Sequence, residues 1–175
     1  MASTSALPAK LSANASRLTF VAISLVVIAI DQLTKELAIA NLRLGEQVSV
    51  LGELLSWRLV YNDSAAFSIG FGLTWILSIT STIAALTTIW YGMKIRSLSW
   101  SIIAGIFLGG VTGNLIDRIT REPGFAIGHV VDFIQIPFNF PVFNLADIAI
   151  VSMASLAVLR VFRGENLGGL PGKSK

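Results

Sequence analysis

The sequence has no cysteine and a single histidine among its 175 residues. The lack of cysteine excludes disulfide bonds, a thiolate nucleophile and any metal site built on thiolates. One histidine, His129, also argues against a histidine-based metal site or a Ser-His-Asp triad. We therefore expect a protein that holds no metal and no cofactor.

Charged side chains are also scarce. They make up 13% of the chain, against 54% hydrophobic residues that come in long runs. This composition is typical of an integral membrane protein, and the length fits one domain of three or four spans. The Lys and Arg residues flank the apolar runs without forming a dense basic stripe, so the net charge of +3 does not indicate nucleic-acid binding.

The apolar runs predict an all-α membrane protein with four transmembrane helices and a small extracytoplasmic β-hairpin or cradle. The spans are expected at about 18–40, 68–93, 98–116 and 145–162. They form one domain over residues 17–163, between disordered cytoplasmic tails at 1–16 and 164–175. No small-residue cleavage site follows the first run, so we do not interpret it as a signal peptide.

The segment between the first two spans differs in composition. Residues 41–62 carry β-branched and aromatic side chains around a Gly52-Glu53 turn, which predicts a short hairpin on the membrane surface. Asn62 follows it. Its side-chain amide either grips a peptide backbone or caps the next helix, and the sequence favours neither.

Span one ends in polar residues. Asp31, Thr34 and Lys35 fall at i, i+3 and i+4 and are expected to share one helical face. Lys35 either reaches up to the membrane surface or pairs with Asp31. A local ion pair and a functional role are equally compatible with this spacing.

Span three combines a small-residue stripe with a polar end. Glycine recurs every four residues, at Gly105, Gly109 and Gly113. Such a stripe lets another helix approach closely, and we favour pure packing as its role. Asn114, Asp117 and Arg118 lie on the same face and are expected to point into the bundle or an aqueous cleft. Arg118 either pairs with Asp117 or grips carbonyl groups or a lipid phosphate.

Two carboxylates, Asp132 and Asp147, stand in the otherwise apolar stretch 130–147. A charge beside lipid costs at least about 2.5–3.5 kcal/mol, so two in one segment require a role. Each could cap a helix or pair with a base; Asn144 is a candidate N-cap beside Asp147. Alternatively the two face each other across a cleft and share one proton. One would then activate water while the other polarises a scissile carbonyl, as in an aspartic peptidase.

The distribution of basic residues predicts the orientation. With four spans both termini lie on one side, which carries eight Lys and Arg residues against five on the other. The positive-inside rule then places both termini in the cytoplasm and every polar patch near the outer leaflet. A substrate that reaches this layer is itself membrane-embedded.

Two other functions were considered. A small proton-coupled membrane transporter would spread its carboxylates through the membrane and often show an internal repeat, whereas these gather at one face. A membrane chaperone or assembly factor would tolerate Asn at either aspartate. The Gly-x-Gly-Asp signature of other intramembrane aspartic peptidases is absent from the sequence.

Five short motifs occur together in the chain. They are DQLTK at 31–35, NDSAAF at 62–67, GGVTGNLIDR at 109–118, HVVDFI at 129–134 and FNLAD at 143–147. In content, order and four-span layout they resemble the bacterial lipoprotein signal peptidases (signal peptidase II). The second motif departs from the family pattern, because Asp63-Ser64-Ala65 replaces the commoner small residue and glycine.

The resemblance implies a membrane aspartic endopeptidase that removes signal peptides from diacylglyceryl-modified prolipoproteins, cleaving before the lipidated cysteine. It implies Asp132 and Asp147 as the catalytic pair. It suggests four further residues that bind substrate or orient the pair: Asn62, Asn114, Arg118 and Asn144. Asp31, Lys35 and Asp117 would form a supporting polar cluster. We expect a monomer in the bacterial cell (inner or cytoplasmic) membrane, in contact with lipid and prolipoprotein substrates and with no nucleic acid.

Overall fold

The computed structural model describes residues 12–63 and 74–169, which form four α-helices and three strands. These are α1 (Ala13–Asn41), β1 (Gln47–Leu51), β2 (Leu55–Asn62), α2 (Thr74–Gly92), α3 (Leu98–Thr120), β3 (Val130–Gln135) and α4 (Leu145–Phe162). A short 3₁₀ turn, Leu167–Gly169, follows α4. The protein is therefore mostly helical, with a small sheet as expected.

The helix bounds agree best with the predicted spans at α4, which covers 145–162 as expected. Helix α1 begins at Ala13, so the last four residues of the predicted N-terminal tail are helical. Helix α3 continues to Thr120, four residues beyond its predicted end. The predicted start of span two, at 68–73, and most of the NDSAAF motif lie outside the described residues.

Within the described residues three helices, α1, α3 and α4, are long and apolar enough to cross a membrane. Helix α2 is 19 residues long and carries seven Ser and Thr side chains. Large apolar side chains such as Leu25, Ile83 and Leu159 face outwards from the bundle. Apolar outer surfaces on helices of this length indicate a membrane protein.

Helix α3 occupies the centre of the bundle, because it packs against all three other helices. Its glycines let α1 approach closely, as the stripe predicted. A Cβ on Gly105 would lie 2.9 Å from the carbonyl oxygen of Phe20. Gly113 stands opposite Asp31. Residue numbers therefore increase in the same direction along the two helices, so α1 and α3 run parallel.

The three strands form an antiparallel sheet in the order β1-β2-β3. The hairpin of β1 and β2 was predicted, and β3 extends it by pairing with β2. Val60 pairs with Asp132 across β2 and β3. Phe143 exchanges backbone hydrogen bonds of 2.8 and 3.0 Å with Ile134, so the chain entering α4 runs beside β3. This pairing brings the start of α4 close to Asp132.

Candidate active site

Asp132 on β3 and Asp147 in the first turn of α4 line one cavity of about 890 Å³. Asp132 is buried and Asp147 is half-buried. The polar part of the lining includes Asn62, Asp63, Asn114 and Arg118. The apolar part includes Phe140, Val142, Phe143, Ile148 and Val151. The cavity thus offers two carboxyl groups to a ligand that carries both peptide and apolar groups.

All four carboxyl oxygens of the two aspartates accept an N–H group. The side-chain amides of Asn62 and Asn144 donate to Asp132 Oδ2 and Oδ1 at 2.7 and 2.6 Å. Asn114 Nδ2 donates to Asp147 Oδ1 at 2.8 Å, and the backbone N–H of Asn144 donates to Asp147 Oδ2 at 3.0 Å. Asn144 therefore links the two carboxyl groups. The three asparagines named from the sequence all lie around the pair.

The environment of Asp132 favours its protonated form. Burial raises the pKa of Asp132, the negative charge of Asp147 raises it further, and hydrogen bonds from Asn62 and Asn144 oppose both effects. The result is a pKa of about 7. An ordinary aspartate has a pKa of about 3.9, so Asp132 retains its proton roughly three pH units further. One proton is therefore available in the site near neutral pH.

The two interpretations of Asp147, helix cap and member of a carboxylate pair, are both compatible with its contacts. Asn144 caps α4, and its Oδ1 accepts the backbone N–H of Asp147 at 3.0 Å. The Asp147 side chain in turn accepts the backbone N–H of Asn144, which completes a capping box. The capping geometry thus aims Asp147 at the cavity. Asn62, by contrast, is the last residue of β2, and the described α2 begins at Thr74.

A cluster of buried charges lies next to this site. Lys35 Nζ is 2.8 Å from Asp31 Oδ2 and 2.8 Å from Asp117 Oδ2. It also donates to Asn114 Oδ1 at 2.9 Å. The side chains of Lys35, Asp31 and Asp117 are fully buried. Lys35 therefore pairs with Asp31, as one alternative predicted, and does not extend to the membrane surface.

The sequence missed one member of this cluster. The Thr34 hydroxyl donates only to carbonyl groups of its own helix, so Thr34 lies outside the cluster. Gln32 lies inside it, because its Nε2 donates to Asp31, Asp117 and the carbonyl of Gly113. Its position directly after Asp31 in the DQLTK motif was the available signal.

Arg118 does not pair with Asp117, which corrects one of the two alternatives for this residue. Asp117 pairs with Lys35 and with Arg121, whose Nε lies 2.8 Å from Asp117 Oδ1. Arg118 lines the cavity and donates to the carbonyl of Asn114 at 3.3 Å. Its buried Nε has no hydrogen-bond partner among the described residues. The guanidinium of Arg118 therefore belongs to the polar part of the cavity wall, while its Nε lies buried behind it.

Within residues 12–63 and 74–169 no three acidic or histidine side chains are arranged to hold a metal ion. The groups that are present can perform acid–base chemistry. A carboxylate can take a proton from water while a carboxylic acid protonates a carbonyl oxygen.

Comparisons with known proteins agree with this chemistry. A family described as "Signal peptidase (SPase) II" matches residues 23–163. A lipoprotein signal peptidase of Leifsonia xyli is 48% identical over 163 residues, which cover 93% of this chain and 76% of that protein. One of Mycolicibacterium smegmatis is 43% identical over 136 residues, 78% of this chain and 57% of that protein. A solved structure described as a bacterial membrane enzyme superposes with a TM-score of 0.75 at 23% identity, covering 97% of this chain and 99% of that one.

Proposed function

Because the chain belongs to the signal peptidase II family, we propose that it is a membrane aspartic endopeptidase that cleaves diacylglyceryl-modified prolipoproteins before the lipidated cysteine. The observation that carries this proposal is the pair of carboxyl groups, Asp132 and Asp147, bridged by Asn144 in one cavity. The arrangement requires no metal or cofactor for peptide hydrolysis.

The two aspartates take different roles in this mechanism. Asp132, whose raised pKa of about 7 keeps it protonated, donates its proton to the scissile carbonyl oxygen. Asp147 takes a proton from water as the water oxygen attacks the carbonyl carbon. When the tetrahedral intermediate collapses, the C–N bond breaks and the leaving nitrogen receives the proton held by Asp147, while one hydroxyl of the intermediate returns its proton to Asp132 as the carbonyl re-forms.

Substrate is held by the remaining lining residues. Arg118, which lines the cavity, donates from its guanidinium group to a carbonyl oxygen of the peptide or of the lipid ester. The apolar lining along α4, including Ile148 and Val151, contacts the acyl chains or the apolar part of the signal peptide. The sheet formed by β1, β2 and β3 supports the peptide as an extracytoplasmic cradle.

We propose that the protein is a monomer in the bacterial cell (inner or cytoplasmic) membrane, with four spans and both termini in the cytoplasm. The parallel course of α1 and α3 supports α2 as a crossing helix, because the chain must return between them. The excess of Lys and Arg on the side of the termini supports the orientation. The active site then lies near the outer leaflet, where the acyl chains of a lipidated cysteine are anchored.

The first experiment is cleavage of a purified diacylglyceryl-modified prolipoprotein, read by mass spectrometry. The wild type should cut before the lipidated cysteine. Asp132→Asn and Asp147→Asn should remain folded and lose about 10⁴-fold or more in rate. The control is Glu53→Gln, which changes an exposed carboxylate in the hairpin turn and should cleave normally. Near-normal cleavage by either Asn variant would disprove the catalytic pair, and an inert wild type would disprove the function.

The orientation can be tested by labelling, since the chain has no cysteine of its own. A cysteine replacing exposed Ser49 on β1 should react with an impermeant thiol reagent added to intact spheroplasts. A cysteine replacing exposed Arg96, between α2 and α3, should react only after lysis. The reverse pattern would overturn the proposed topology.

A further inference from the structure

The buried charges of Asp31, Lys35 and Asp117 have no role in the chemistry proposed above. All three side chains are fully buried in the bundle. Desolvating a charged group costs several kcal/mol even after relaxation, so a buried ion pair is a weak means of stabilising a fold. The contacts of the cluster with the rest of the protein indicate what else it does.

Each acid of the cluster holds the backbone next to one member of the catalytic pair. Asp31 Oδ1 accepts the backbone N–H of Ala146 at 3.1 Å, and Ala146 directly precedes Asp147. Asp117 Oδ2 accepts the backbone N–H of Val131 at 3.2 Å, and Val131 directly precedes Asp132. The two catalytic segments, which come from β3 and α4, are therefore attached to α3 and α1 at equivalent positions.

Lys35 joins these two attachments. Its ammonium group contacts Asp31 and Asp117 at 2.8 Å each and donates to Asn114 Oδ1 at 2.9 Å. An ammonium group is a donor only, so the atom of Asn114 that faces it must be the oxygen. Asn114 Nδ2 is then directed to Asp147, where it donates at 2.8 Å. The three groups that Lys35 contacts, Asp31, Asp117 and Asn114, thus connect it to the catalytic pair.

We propose that Lys35 is a positioning residue that sets the separation of Asp132 and Asp147 and the hydrogen bond that Asp147 receives. Lys35 touches neither carboxyl group and acts by drawing Asp31 and Asp117 together and by orienting the amide of Asn114. This inference rests on the proposed peptidase function, because it assigns Lys35 a part in the same reaction.

A simple ion pair that ends a helix would not need these contacts. Asp31 and Lys35 could satisfy each other within α1 at i and i+4. Instead the lysine reaches α3, and the two acids reach β3 and α4. Arg121 already pairs with the other oxygen of Asp117, so Asp117 keeps one cationic partner if Lys35 is removed. Among the described residues Asp31 has no second cationic partner, so one of the variants below also removes the charge of Asp31.

The test compares Lys35→Met with the charge-balanced double variant Asp31→Asn/Lys35→Met. The control is Thr34→Val, because Thr34 is adjacent on α1 and its hydroxyl contacts only carbonyl groups of its own helix. Each purified full-length variant is assayed on the diacylglyceryl-modified prolipoprotein for kcat, KM and the pH dependence of kcat. A thermal melt of each variant reports its folding.

Both Lys35 variants should remain folded and lose about 10²-fold in kcat with little change in KM, because misplacing reacting groups costs rate and leaves binding intact. The basic limb of the pH profile should move upwards in Lys35→Met, because the ammonium lowers the pKa of Asp132. It should move less in the double variant, which removes one charge of each sign. Thr34→Val should match the wild type.

The ionisable groups around the pair are Asp31 and Lys35 on α1, Asp117 and Arg118 on α3, and Tyr61 and Asp63 at the cavity wall.

Several outcomes would overturn the inference. Folded Lys35 variants with wild-type kcat would show that the cluster does not position the pair. A raised KM with unchanged kcat would make Lys35 a contributor to substrate binding. Failure of both variants to fold would make the cluster a stability element only. An inert wild type would remove the proposed function and this inference with it, whereas an active wild type with unaffected variants would remove the inference alone.

Discussion

A glycine of α3 lets α1 approach closely at both ends of the α1–α3 contact, but the groups that fill the space differ between the two ends. We call the region around Gly113 the sheet end and the region around Gly105 the far end. At the far end the space left by the missing side chain is filled by the backbone carbonyl of Phe20 and the apolar side chain of Ile23. At the sheet end it is filled by the carboxylate of Asp31. One helix pair thus packs apolar groups at one end and buries an ion cluster at the other.

Substitutions at the two ends should have different effects on stability and activity. In a membrane, helices associate through close van der Waals packing and interhelical hydrogen bonds, so a substitution at the far end costs mainly packing. At the sheet end, a substitution displaces groups that hold the backbone next to Asp132 and Asp147, so it costs mainly activity. Stability and activity should therefore separate between the two ends, and matched variants can test this separation.

The largest expected difference is between Gly113→Ala and Gly105→Ala. A methyl group on Gly113 would meet the Asp31 carboxylate and displace a group that holds the segment before Asp147. We expect kcat to fall about 10²-fold, since small displacements of reacting groups have effects of this size. Gly105→Ala would press on the Phe20 carbonyl at 2.9 Å and cost about 1–3 kcal/mol of stability.

The measurements are kcat at saturating substrate and the melting temperature of each purified variant. Gly105→Ala should melt earlier and retain its kcat once folded. If the two variants lost activity and stability in the same proportion, the two ends would not differ as we describe.

A smaller difference is expected in pH dependence. Because the pKa of Asp132 is raised to about 7, its protonated form persists to neutral pH and is lost above it. The rate should therefore fall about tenfold per pH unit above that pKa, as expected for a single general acid. At the far end, a hydrogen bond from Arg160 lowers the pKa of Glu165, so this carboxylate is already ionised at neutral pH. Glu165→Gln should leave the pH at which the rate begins to fall unchanged. A wild-type rate that stays constant between pH 7 and 9 would contradict the assignment of the proton to Asp132.

The smallest expected effects concern one arginine at each end. Arg118→Ala removes a donor in the cavity and should raise KM about tenfold, the value of one charged hydrogen bond. Arg160→Ala removes a contact 4.9 Å from the Trp100 ring centre and an exposed ion pair with Glu165. It should lower the melting temperature and leave KM unchanged. Loss of folded protein in Arg118→Ala would instead indicate a structural role.

Hydropathy and residue type along the chain were sufficient to predict α4 and the hairpin, which carry residues of the site. The bounds of α4 and the presence of the hairpin follow from hydropathy and residue type, and both agree with the structure. The N-cap at Asn144 was also recognisable, since asparagine before an acid in the first turn is a common helix start. That Asp132 and Asp147 line one cavity depends on the pairing of Phe143 with Ile134, which no local pattern reports.

Contacts between helices could not be predicted in the same way. The i+4 rule gives Lys35 with Asp31, but the contacts with Asp117 and Asn114 depend on the register between α1 and α3. The same rule would have identified Arg121 as the partner of Asp117. Pairing Asp117 with its sequence neighbour failed because adjacent residues on a helix point about 100° apart.

Asn144 combines functions that are usually spread over several residues. Its side chain caps α4 and donates to Asp132, and its backbone N–H donates to Asp147. Serine or aspartate would preserve the cap, but neither has the amide nitrogen that reaches Asp132. An inhibitor that takes its binding energy from Asn144 would therefore leave the protein few resistance mutations that also preserve the enzyme.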